Sequence, residues 1–97
     1  MYLVHLHVRP RRRGDVLPGD AARVIEACAA GLEGIEYVTV HRRAQVAPVV
    51  GVFVRAPTLE VAMAAGEQAW WCAWLAEPRL RSWELLCARA PRLPPVP

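Results

Sequence analysis

Apolar positions recur along this chain with two periods, and the changes from one period to the other mark out six segments. Between residues 2 and 9 (YLVHLHVR), Val4, Leu6 and Val8 fall on one side and Leu3, His5, His7 and Arg9 on the other, which makes a strand with one apolar face. Residues 10–19 hold an arginine run and the Pro18-Gly19 pair and read as a loop. Asp20 stands at a capping position. Val24, Ile25, Cys28 and Leu32 follow at helical spacing, and Gly34 is placed to end that helix as its C′ residue. A second strand over residues 35–43 (IEYVTVHRR) puts Val38 and Val40 on one face and Tyr37, Thr39 and His41 on the other. Residues 44–48 read as a turn. Residues 49–56 (VVGVFVRA) make a third strand, with Val50, Val52 and Val54 opposite Val49, Gly51, Phe53 and Arg55. Thr58 caps a long helix reaching Ala76, whose buried stripe is Leu59, Ala62, Met63, Gly66, Ala69, Trp70, Ala73 and Trp74. Pro78 stops that helix, and residues 83–89 (WELLCAR) form a fourth strand.

Strand, helix, strand, strand, helix, strand is the order of a ferredoxin-like α+β sandwich. In that βαββαβ arrangement an antiparallel sheet of strand order 4-1-3-2 carries both helices on one face. Residues 1–90 fit one such domain, and residues 91–97 (PRLPPVP) form a Pro-rich extended tail. The fold hosts many unrelated activities, so function has to be read from the surfaces it leaves.

At 55% apolar residues the 97-residue chain can build a core of its own. No apolar run approaches the roughly 20 residues that span a bilayer, and the start, Met1-Tyr2-Leu3-Val4-His5, lacks the pattern of a secretory signal, so the reading is cytoplasmic with no membrane partner. Cys28, Cys72 and Cys87 are odd in number and widely spaced, which fits free thiols better than a disulfide framework. All twelve basic residues are arginine and Asn is absent, the mark of a GC-rich genome such as an actinobacterial one. The arginine excess is therefore not by itself phosphate chemistry.

With both helices on one side, the other face of the sheet is open. Its outward residues are Leu3, His5, His7, Tyr37, Thr39, His41, Val49 and Phe53, a mixed apolar surface that holds all three histidines. Monomers seldom leave such a patch in water, which points to a homodimer packed sheet to sheet or a partner laid over the sheet. His5 and His7 are two apart on a strand and project the same way. They and His41 are candidate general bases or catalytic groups in a closed pocket. A metal site is not expected, because no carboxylate or thiol partner stands near them in the sequence. No cofactor is implied. Histidines without chemistry, solvated or buried in the dimer, are the simpler reading.

The same topology gathers Arg9, Arg11, Arg12, Arg13, Arg42, Arg43, Arg79 and Arg81 at one edge. That basic rim suits an acidic protein or a small anionic molecule, though loop charges are commonly just solvated. The RNA-recognition motif shares this strand order, and Tyr2-Leu3-Val4-His5-Leu6 loosely matches its first-strand signature. The third strand, VVGVFVR, has one aromatic where paired stacking rings are needed, so sequence-specific nucleic-acid binding is not expected. In AWWCAWL, Trp70 and Trp74 lie on the buried stripe. Trp71 falls to one side near Cys72 and Leu75 and is assigned to core packing, with a second contact patch as the alternative. The proline-rich end could also serve as a ligand for another domain.

In YLVHLHV, GIEYVTVHRRA and PVVGVFV the chain resembles short actinobacterial βαββαβ proteins of unassigned function. In size and element order it is similar to dimeric α+β barrel proteins, among them cofactor-free monooxygenases, isomerases and polyketide cyclases. The resemblance implies the fold and dimerisation, and no catalytic signature carries over residue by residue. The leading expectation is a non-catalytic binding or accessory module acting as a homodimer. The alternative is a cofactor-independent enzyme of secondary metabolism with His5, His7 and His41 in its pocket.

Overall fold

The alternation at the start of the chain becomes strand β1 (Tyr2–Pro10), in which Val4, Leu6 and Val8 are buried and His5 and His7 are not. The computed structural model describes residues 1–43 and 46–91. After β1 come α1 (Ala21–Cys28), β2 (Ile35–Arg43), β3 (Val46–Val54), α2 (Leu59–Ala76), a 3₁₀ turn (Pro78–Leu80) and β4 (Trp83–Arg89). The strands form one sheet in the order β2-β3-β1-β4, every pair antiparallel, which is the expected order read from its other edge. This is the ferredoxin-like α+β sandwich.

Several boundaries differ from the expected ones. Strand β3 starts at Val46, so Pro48 lies inside a strand instead of a turn. It is tolerated because pairing with β1 begins only at Val49, opposite His7, and proline cannot donate to a ladder. Helix α1 ends at Cys28, and Gly34 serves another purpose than closing it. Gly34 takes φ +89° at the start of β2, where a Cβ would collide with the Arg55 carbonyl oxygen, and its own carbonyl accepts from Arg55 N at 2.7 Å. Asp20 precedes α1 without capping it through its side chain, while Thr58 does cap α2, accepting from Val61 N at 3.2 Å. The Pro-rich tail beyond Pro91 and residues 44–45 of the expected turn lie outside the described residues.

The core lies between the sheet and the helices. Val4, Leu6, Val8, Val38, Val50, Val52 and Val54 rise from the sheet to meet Ala21 and Ile25 of α1 and Ala62, Gly66, Ala69, Trp70 and Ala73 of α2. Gly66 lets α2 approach β1 closely, since a Cβ there would stand 3.1 Å from Val4 Cγ1. Trp74 half-covers this core from the side and donates from Nε1 to the Trp83 carbonyl at 3.2 Å. Trp70 is fully enclosed, and its Nε1 has no acceptor. An enclosed indole removes roughly 150–250 Å² from water, about 4–6 kcal/mol at about 25 cal/mol per Å², against about 1–3 kcal/mol for the unmade hydrogen bond, so burial wins. Trp70→Ala should therefore lower the unfolding free energy by about 3–5 kcal/mol in urea titrations, and Trp70→Phe, which removes the unpaired donor but keeps a ring, by less than half of that.

Candidate functional site on the open sheet face

Strand pairing sets the outward residues into cross-strand rows. At one end Leu3, Phe53 and Tyr37 line up over β1, β3 and β2. Next come Arg89, His5, Gly51 and Thr39, from β4 to β2. Then follow Cys87, His7, Val49 and His41. Beyond them Arg9 pairs with Glu84 across β1 and β4, joined by a 3.0 Å ion pair. The face thus grades from an aromatic end through a histidine middle to a charged end.

At the aromatic end the Tyr37 and Phe53 rings lie 5.8 Å apart, and Tyr37 is 54% exposed although it stands on a sheet. In the middle the His5 ring lies 6.4 Å from that of His7 and 6.2 Å from that of His41, both edge to face. Gly51 lies between them on β3, and its neighbours fill the space its side chain would take: a Cβ there would stand 2.7 Å from Thr39 Oγ1 and 3.9 Å from His41 Nε2. Thr39 Oγ1 and His41 Nε2 are themselves 3.4 Å apart. The three histidines singled out in the sequence are therefore neighbours on one surface. Among the described residues no three His, Cys, Asp or Glu side chains are arranged to hold a metal ion.

Sequence reasoning missed Cys87, Arg89 and the role of Gly51. A register shift between His7 and Val8 in their pairing with β4 leaves Leu86 as an extra, 51% exposed residue and turns Cys87 onto the open face beside His7. No turn residue or change of period marks that bulge. Trp71, assigned to the core, is instead 44% exposed, with its ring 5.7 Å from that of Trp74.

Of the eight arginines assigned to one rim, four are engaged by the protein itself. Arg9 holds Glu84. Arg42 donates to the Leu17 carbonyl at 2.8 Å and to that of Pro18, and so pins the β1–α1 loop to β2. Arg79 binds Asp20 at 3.1 Å and Glu77 at 2.7 Å. Arg81 donates to the Trp74 and Leu75 carbonyls, both at 2.6 Å, and lies 5.1 Å over the Trp74 ring. It thereby satisfies orphan carbonyls at the negative end of α2. Arg11, Arg12 and Arg13 are exposed, and the first two line a shallow cleft of about 370 Å³ with Pro78, Arg81 and Ser82. The side chain of Arg43 lies outside the described residues.

Among the described residues no helix is long and apolar enough to cross a membrane. No protein-family model matches the chain, and neither does any curated protein or solved structure. Fold and surface alone therefore carry the functional reading.

The Arg79 cluster has a pH signature. Hydrogen bonds from Arg79 hold the Asp20 and Glu77 carboxyls below their ordinary values of 3.8 and 4.5. Groups lowered in this way stabilise the fold above their ordinary values and stop doing so as pH falls through the lowered ones. Arg79→Ala should thus be modestly less stable than the native chain at neutral pH, as exposed ion pairs allow, and the gap should close as urea titrations are taken below pH 3.8.

Proposed function

We propose that the chain is a non-catalytic binding module that acts in the cytoplasm as a homodimer through its open sheet face. The observation that supports this is the uncharged stretch made by Leu3, Phe53 and Tyr37 with Val49, Gly51 and Thr39 behind them. It lies on the exposed side of an antiparallel sheet whose other side is fully used. A surface of that kind gains most from being covered, and a second copy offers the same aromatic row in return. The charged Arg9–Glu84 end then forms the rim.

The alternative is a cofactor-independent enzyme, and the gathering of Thr39, His5 and His41 around Gly51 is what favours it. On a bare sheet these rings have no wall opposite them, so any pocket would be completed by the covering copy. A histidine-reached cavity between two sheets would favour the enzyme, and a dry flush contact the module. The free arginines Arg11, Arg12 and Arg13 suit a small anionic molecule or an acidic protein as a further partner.

Light scattering after gel filtration should give a mass at least twice that of the 10.8 kDa chain. Phe53→Asp should reduce that assembly, since a carboxylate buried without a partner costs several kcal/mol. A mass of one chain for the native protein, held at concentrations on the order of tens of micromolar, refutes the proposal.

A further inference from the structure

Helix α2 is apolar on nearly every side. Of its 18 residues only Glu60 and Glu67 are charged, and a helix of that composition is ordinarily enclosed all round. One side is enclosed here, by the sheet. The other is open: Val61, Trp71 and Leu75 are 49%, 44% and 65% exposed. With Ala64 and Gln68 between them they keep the alternating three- and four-residue spacing of a coiled-coil seam. Beside the seam runs a groove of about 510 Å³, walled by Val61, Ala64, Ala65 and Gln68 and across from them by Leu32 and Pro57.

We propose that this seam is a second contact surface for another copy of the chain, with the two α2 helices antiparallel and Gln68 at the two-fold axis. Size selects that direction. Reversal about Gln68 sets Leu75 of one copy on Val61 of the other, and Trp71 over Ala64 and Ala65, so that large meets small and the indole covers the groove. A parallel pair would set Trp71 against Trp71 and leave both grooves open. Charge selects the same direction. Glu33 and Glu60 lie at the N-terminal end of α2, where Arg55 is already paired with Glu36 at 3.3 Å. Arg81 stands at the C-terminal end with Arg11 and Arg12 beside it. Antiparallel pairing brings the acidic end of each copy to the basic end of the other, while parallel pairing stacks acid on acid. Gln68 at the axis meets its own copy, and an amide both donates and accepts, so the pair is self-satisfying. The seam lies on the helix layer, away from the sheet face, and two isologous contacts on one chain build a tetramer or a longer array.

The test uses single cysteines at exposed positions, in a chain whose Cys28, Cys72 and Cys87 are replaced by Ala, oxidised with copper-phenanthroline. Helices about 8–10 Å apart bring the two axis positions within disulfide reach, so Gln68→Cys should appear mostly as a dimer on a non-reducing gel. Val61→Cys alone should stay single, because antiparallel pairing puts its two copies about 20 Å apart, whereas Val61→Cys mixed with Leu75→Cys should crosslink. Self-crosslinking of Val61→Cys, or none from Gln68→Cys, overturns the proposal. Trp71→Glu in the otherwise native chain should lower the mass seen by light scattering, and an unchanged mass counts against the seam. With Phe53→Asp added, the Gln68→Cys crosslink should persist, and its loss there overturns an independent helix contact. A Phe53→Asp chain of unchanged mass would instead overturn the sheet contact and leave this one standing.

Discussion

The valine face of the sheet meets α2 along a stripe of small residues, Ala62, Gly66, Ala69 and Ala73, and nearly every other feature follows from that contact. Small residues let the helix axis come close, as the Gly66–Val4 approach shows, and a close axis needs only one layer of side chains to fill the gap. Trp70 fills what remains at the far end. Because the inner side of α2 is small, its bulky residues Trp71 and Leu75 fall outside. Because β1 and β3 turn their valines inward, Leu3, His5, His7 and Phe53 must point away from the helices. The two unusual surfaces are thus geometric consequences of one packing choice.

The same logic separates what was legible in the sequence from what was not. Strict alternation in β1 and β2 fixed which residues share a face, so Val4, Leu6, Val8 and Val38 could be assigned to the core and the three histidines to the open side. Long elements with a strong period and a Thr58 cap were equally plain. Parity in β4 was not, because a single extra residue near Leu86 reverses the sense of everything after it, and the sequence carries no mark of where that residue sits. Pro48 suggested a turn because the local rule holds for central positions, whereas here the pairing between β3 and β1 stops at Val49 and leaves the proline outside that ladder. Periodicity placed Trp71 to one side of the stripe; only the packed structure shows that it is left 44% exposed.

Topology likewise said nothing of what the arginines would do. The choice of partner depends on groups distant in sequence: Asp20 for Arg79, Leu17 and Pro18 for Arg42, the end of α2 for Arg81. These contacts tie the β1–α1 loop, the end of β2 and the segment before β4 into one structure. Among the described side chains of the arginine rim, what is left for an outside anion is the short exposed run at Arg11, Arg12 and Arg13.

A two-layer sandwich covers only one side of its sheet, and here one end of the uncovered side, Leu3, Phe53 and Tyr37, is apolar and aromatic. We propose that a second copy supplies the missing layer. Tyr37, at the aromatic end of the face and 54% exposed in a single chain, reports on this directly. Hydroxyl-radical footprinting of the native protein, read by mass spectrometry across a dilution series, should show Tyr37 oxidised slowly at high concentration and at the rate of an open tyrosine only once the assembly is diluted apart. A Tyr37 that oxidises as an open side chain at every concentration, with the protein otherwise folded, would rule out a second copy on this face.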